Sequence, residues 1–147
     1  FRRVLFRSLR GLDYRHGNSN VVRIGFAAAP VIVEDTNQAV QDIALPVEVA
    51  GRFDKANDED VFRFDTQKGK AYWVEVIADR MASNVDPLVI VHQITPDKSG
   101  NGIVTKVAEN DDLHSFFSVP GKDSIIADTN DAAVMFRLEK GNRKRVA

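Results

Sequence analysis

The chain has 147 residues, 44% of them apolar and 28% charged, with no cysteine and a formal net charge of −1. That composition fits one globular domain and argues against a disordered tail, a collagen-like fibre and a multidomain enzyme. The missing thiols remove cysteine nucleophiles, thiolate metal sites and disulfide frameworks, and the longest apolar run, residues 24–33, is broken by Pro30 and too short to span a bilayer.

Charge is unevenly spread. Residues 1–24 hold six arginines against Asp13, whereas residues 25–147 hold 14 basic against 20 acidic side chains. At face value this is a basic arm on an acidic body, the pattern of a nucleic-acid or membrane contact. Residues 1–8, however, resemble the in-frame translation of a short-read sequencing adapter at all eight codons, and such a segment belongs outside fold reasoning. Without Arg2, Arg3 and Arg7 the net charge falls to −4 and the arm shrinks to Arg10, Arg15 and Arg23, so neither nucleic acid nor a membrane is expected as a partner. Residues 9–30 mix charges, Gly and Asn with no sustained period and are expected to be a linker or the end of a preceding region. Residues 1–20 are expected to lie outside the folded unit, and residues 31–147 to form the domain, truncated near its C-terminal end.

From there the pattern has period two. Leu45, Val47, Val49, Gly51 and Phe53 alternate with polar or small neighbours, the signature of a half-buried strand. Phe62 and Phe64 alternate with Arg63 and Asp65, residues 68–70 make a turn, and Tyr72, Val74, Val76 and Ala78 continue as a longer strand, so the two are expected to pair as a hairpin. Residues 88–94, rich in Val and Ile, suit a strand buried on both faces. Residues 96–102 form a turn cluster, residues 103–108 alternate again, residues 110–131 are expected to be the longest loop, and residues 132–138 place Val134, Phe136 and Leu138 on one face. Only residues 79–85 suit a helical turn. Short strands punctuated by Gly, Pro, Asn and Asp predict an all-β, antiparallel β-sandwich of jelly-roll type. Its expected core is Phe53, Phe62, Phe64, Val74, Val76, Leu88, Ile90, Val134 and Phe136.

No catalytic template fits. His16, His92 and His114 form no HExxH pair, no serine sits in a GxSxG elbow, and no glycine cluster resembles a phosphate-binding loop. A pair of carboxylates for glycoside hydrolysis would meet only in three dimensions. The chain is therefore expected not to be an enzyme, the runner-up being part of a hydrolase. The acidic loops are more informative: residues 54–60 hold Asp54, Asp58, Glu59 and Asp60. Such crowded like charges are either solvated, in a turn capped by Asx hydrogen bonds, or neutralised by a cation. A hard ion such as calcium takes six to eight oxygens, and the spacing is not that of an EF-hand because Ala56 and Phe62 occupy ligand positions. Glu109, Asp111 and Asp112 pose the same choice.

Gly51-Arg52-Phe53, the run from Asp58 to Phe64, Lys68-Gly69-Lys70 and the strand from Tyr72 to Val76 together resemble the bacterial pre-peptidase C-terminal domain. Asp86-Pro87-Leu88, Ala108 to Asp112 and Asp131 to Arg137 extend the likeness over residues 31–147, and the insertion with Ala78-Asp79-Arg80 is similar to copies in large secreted planctomycete proteins. The resemblance implies a small non-catalytic β-sandwich, appended to exported proteins and located in the periplasm, outside the cell or on its surface. Its relatives bind collagen or carbohydrate, and some bind calcium. Carried over, the calcium ligands are Glu34, Asn37, Asp58 and Asp60. The N-terminal segment is one residue short and lacks the second Glu, with Asp35 the available substitute. The usual final strand appears only at residues 141–146, without its Tyr, which predicts an exposed edge. Expected partners are other domains of the parent chain, and a polysaccharide or matrix protein bound through Tyr72 or Trp73, only one of which can face outward because adjacent strand residues point to opposite faces. The alternative is a purely structural or partner-docking domain.

Overall fold

Alternating apolar residues and frequent turn formers give many short strands and almost no helix. The computed structural model describes residues 11–117, 125–138 and 144–146. In chain order the strands are β1 (Gly11–Tyr14), β2 (Val22–Gly25), β3 (Val31–Val33), β4 (Gln41–Asp42), β5 (Glu48–Ala50), β6 (Phe62–Phe64), β7 (Ala71–Glu75), β8 (Val89–Pro96), β9 (Gly102–Asn110), β10 (Leu113–Phe117), β11 (Ile125–Thr129), β12 (Ala133–Arg137) and β13 (Lys144–Val146), with a single 3-10 turn at Asp79–Met81 among the described residues. The protein is all-β and of β-sandwich type. A five-stranded sheet in the order β4-β6-β13-β8-β9 forms one layer and the antiparallel pair β7-β12 lies across it, while β1-β2, β10-β11 and the parallel pair β3-β5 form small additional sheets.

The core lies between these two layers. Phe64, Val89 and Val91 project from the five-stranded sheet against Ala132, Val134 and Phe136, and Ile43, Tyr72, Val74, Val76 and Ala108 pack around them. Tyr72 stacks on Phe136 at 5.6 Å between ring centroids and sits tilted to Phe64 at 6.1 Å, a spacing at which aromatic pairs attract beyond their buried area. Its hydroxyl accepts a hydrogen bond from the Gln67 N–H at 2.6 Å.

Several expectations are corrected. β6 and β7 do not pair as a hairpin: β6 pairs with β4 and β13, and β7 with β12. The chain instead changes layers at Gly69, whose φ of +72° favours a residue without a side chain, and whose N–H reaches the Leu138 carbonyl at 2.8 Å. In β8 it is Val89 and Val91 that are buried, while Ile90 is half-buried and Leu88 is 51% exposed. A one-residue slip reverses every side chain of a strand, and an unbroken Leu-Val-Ile-Val run carries no alternation to fix its phase. Phe53 is exposed, because β5 ends at Ala50 and the chain turns into the acidic loop.

Residues 110–131 are not one loop but contain the β10-β11 hairpin, registered from Leu113↔Thr129 to Phe117↔Ile125. Within the expected linker, β1 and β2 pair from Gly11↔Gly25 to Tyr14↔Val22. The final strand β13 leaves no open edge of its own, since it pairs antiparallel with β6 on one side and with β8 on the other.

One polar group ties together the ends of the β7-β12 pair. The Asp131 carboxylate is fully buried. Its Oδ1 accepts hydrogen bonds from the N–H groups of Ala78 and Asp79 at 2.6 and 2.7 Å, and its Oδ2 takes the Arg80 Nε–H. Arg80 also reaches Glu75, and the Thr129 hydroxyl donates to Asp79 at 2.9 Å. The 3-10 turn that follows β7 is thereby fixed to the chain entering β12.

Candidate functional site

The parallel pairing of β3 with β5 explains why two acidic segments distant in sequence meet. Register places Val33 opposite Ala50, so the residues that follow, Glu34 and Gly51, leave their strands side by side, with the Glu34 N–H bonded to the Ala50 carbonyl at 3.0 Å. A Cβ at position 51 would lie 2.7 Å from Glu34 Oε2, so glycine is what lets the carboxylate fold over the backbone and accept the Arg52 N–H at 3.0 Å. On the far side, the Gln41 N–H bonds the Val61 carbonyl at 2.9 Å and β4 runs parallel to β6. Residues 34–41 and 54–62 are thus clamped at both ends, and between them lies a cleft of about 410 Å³ lined by Glu34, Asn37, Asp54, Asp58 and Asp60 among others.

Inside the cleft, carboxylates crowd. Burial, a hydrogen bond shared with the Glu34 carboxyl, and the charges of Glu34, Asp58 and Asp54 together push Asp60 up to about 6. Asp58 is better compensated. Its Oδ2 accepts the Asp54 N–H at 2.8 Å and its Oδ1 lies 3.9 Å from Lys55 Nζ, a geometry reached through Asn57 in the left-handed region at φ 58°. Asp54 is held in turn by Arg52 Nε at 2.6 Å.

Of the four ligands carried over from the resemblance, the structure gathers Glu34, Asp58 and Asp60 and places Asn37 on the same cleft with its side-chain amide engaged elsewhere. The Asn37 Nδ2 and backbone N–H both donate to Asp35 Oδ1 at 3.1 Å, while Gln38 Nε2 donates to Asp35 Oδ2 at 2.6 Å. These bonds hold the Asp35 carboxyl below its ordinary range and make it the cap of an Asx turn. No three Asp, Glu or His side chains stand in ready metal-holding geometry among the described residues. The donor set fits a hard cation by chemistry, since all its atoms are oxygens and three are carboxylates, and closing a coordination sphere would require the raised Asp60 carboxyl to be ionised.

Tyr72 and Trp73 separate as adjacent strand residues must. Tyr72 belongs to the core, whereas Trp73 is 37% exposed, donates from Nε1 to Glu75 Oε2 at 3.1 Å and lies opposite Met135 in the β7-β12 register. The second acidic cluster is a structural strap: Glu109 pairs with Lys106 at 2.5 Å, Asn110 Oδ1 accepts the Ala133 N–H at 3.3 Å, and Asp111 caps the Asp112 N–H at 3.0 Å. Sequence reasoning missed the parts played by Gly51 and Arg52; the signal available was a glycine at an otherwise apolar strand position, which marks close backbone approach. Compared with protein-family models, curated proteins and solved structures, the chain matches none.

The raised Asp60 carboxyl has a consequence for stability. A carboxyl raised in the folded state binds its proton more tightly than in the unfolded chain, so its contribution is full below the ordinary value of 3.8 and is lost as pH rises through about 6. The lowered groups Asp13, Asp35 and Asp97 act in the opposite sense, losing their contribution only as pH falls below 3.8. In chelator, the melting temperature is therefore expected to decline between pH 4 and 6.5, and Asp60→Asn to flatten that decline. An unchanged slope in Asp60→Asn would contradict the assignment.

Proposed function

We propose that the chain is a non-catalytic accessory module of an exported multidomain protein, of the pre-peptidase C-terminal type, tightened by a calcium ion between residues 34–37 and 54–60. The observation that carries this reading is the convergence of Glu34, Asp58 and Asp60 on one cleft, where burial and the neighbouring carboxylates raise Asp60. Like charges so close oppose folding, and a divalent cation would turn their repulsion into a bond between two segments that otherwise meet through backbone contacts. Glu34, Asp58 and Asp60 would hold the ion, with Asn37 supplying its side-chain oxygen. The module acts as a spacer or binding domain, for which the outward-facing residue is Trp73 and the partner a polysaccharide, a matrix protein or other domains of the parent chain. The all-β fold is what this reading requires, and the resemblance implies action outside the cytoplasm.

Thermal melts in millimolar calcium against chelator test it. Binding to the folded state alone raises stability by about 2.7 kcal/mol at a hundredfold excess over Kd. Asp58→Ala and Asp60→Ala should abolish the response, and Gly51→Ala, which displaces the Glu34 carboxylate, should weaken it. A wild-type melt that ignores calcium would make the loop a solvated turn.

A further inference from the structure

The turn between β8 and β9 carries the chain's single Asn-Gly pair, Asn101-Gly102, and both residues are exposed. The turn closes around Asp97. Its Oδ1 accepts the N–H groups of Ser99 and Asn101 at 2.8 and 2.7 Å, its Oδ2 holds the Asn101 side-chain amide at 3.3 Å, and its own N–H donates to the Asn101 carbonyl at 2.7 Å. Next in the register, Pro96 faces Gly102. An antiparallel ladder alternates hydrogen-bonded with non-hydrogen-bonded pairs, and Pro96, having no N–H to give, makes this one non-hydrogen-bonded. The Gly102 N–H therefore points away from β8, toward the outer edge of β9, where no strand pairs among the described residues. Glycine at this position also suits the packing, since a Cβ would lie 3.0 Å from Ile94 Cγ2.

We infer that Asn101 is a site of spontaneous covalent modification, losing its side-chain amide through a cyclic imide formed with Gly102. The Gly102 nitrogen attacks Asn101 Cγ. The N–Cγ bond forms, the Cγ–Nδ2 bond breaks, and the proton shed by the attacking nitrogen leaves with Nδ2 as ammonia. Water then opens the imide at either carbonyl, giving aspartate or, with the main chain rerouted through the side chain, isoaspartate. Asparagine is thermolabile by this kind of chemistry, and here three features favour it. The attacking nitrogen is not held by the β8-β9 ladder, glycine sets no side chain against the forming ring, and the exposed turn admits the water that opens it. Elsewhere the following residue is larger, as at Asn57-Asp58, Asn84-Val85 and Asn110-Asp111. Either product sets a carboxylate where an amide donor faced Asp97 Oδ2, so like charges repel across the turn. Isoaspartate also lengthens the main chain just before the Thr95↔Ile103 register, which strands accommodate only by slipping or parting. The modified chain therefore loosens at the tip of the β8-β9 ribbon.

Ageing the full chain in mildly alkaline buffer below its melting temperature, and in parallel unfolded in guanidinium chloride, tests this by peptide mapping with mass spectrometry. Asn101 should convert before any other asparagine, with isoaspartate among the products, and in the folded chain at a rate of the same order as in the unfolded one. Asn101→Gln, whose longer side chain closes a larger ring far more slowly, should stay intact at this position. Hydrogen exchange of the amides of residues 103–105 should quicken in the aged wild type and stay unchanged in the aged Asn101→Gln protein. Folded chain that keeps Asn101 intact while the unfolded chain converts would overturn the inference, since the turn would then protect the residue. Conversion led by another asparagine, or none in either sample, would overturn it too, and conversion at Asn101 without faster exchange would overturn the loosening of the tip.

Discussion

Replacing Asp131 with Ala is expected to lower stability by about 3–5 kcal/mol, the loss that follows when one partner of a buried ion pair is removed. The side chain is fully buried and serves three donors at once, the N–H groups of Ala78 and Asp79 and the Arg80 guanidinium. Truncation strands two backbone donors without a partner, each costing roughly 1–3 kcal/mol, and leaves Arg80 only Glu75. Asp131→Asn preserves the volume and one acceptor, so it should cost less than Ala while still unfolding at lower denaturant than wild type. Chemical denaturation of the three proteins checks the ranking, and an alanine variant of wild-type stability would show that the 3-10 turn does not depend on Asp131.

Phe64→Ala is the second large effect, about 3–5 kcal/mol through loss of burial and the cavity left behind. Phe64 is 4% exposed, belongs to the core cluster on the five-stranded sheet and tilts against Tyr72. Removing its ring also takes away the contact with Tyr72 that joins the β7-β12 pair, where Tyr72 stacks on Phe136, to the five-stranded layer. The same substitution at Phe53, which is 39% exposed, should cost far less, so the pair separates a core phenylalanine from a loop one. Equal losses would contradict the burial described above.

Those two phenylalanines also show how far sequence reading reaches. Period-two alternation located β6, β7, β9 and β12 and the inward faces of Phe64, Val134 and Phe136, the phase being fixed at Phe64 by the polar neighbours Arg63 and Asp65 and in β12 by Arg137. It failed for β8, where Leu88 to Val91 are all apolar and either phase is permitted, and for Phe53, where alternation continued past the point at which Gly51 and Glu34 end the strand. Pairing partners were harder still. β6 and β7 are neighbours in sequence, yet each finds its partner in a distant segment, and that choice depends on which layer each strand's apolar face must cover. Asp131 gave no periodic signal, since its role is defined by donors more than fifty residues away. The cleft was legible in part: the acidic loop and Glu34 stood out by charge, but their convergence depends on the parallel β3-β5 register, and the diversion of Asn37 to Asp35 is a matter of local turn geometry.

The most direct test of the cation clamp is the proton it must displace. Calcium entering the cleft has to ionise the Asp60 carboxyl, and a group pushed up to about 6 is about half protonated at pH 6, so binding there should release on the order of half a proton. Calorimetric titration with calcium at pH 6, repeated in buffers of different ionisation enthalpy, measures that release. The account predicts a binding heat that varies with the buffer at pH 6, ceases to vary at pH 8, and disappears in Asp60→Ala. Calcium binding whose heat is independent of the buffer and survives Asp60→Ala, or no binding heat at either pH, would contradict it.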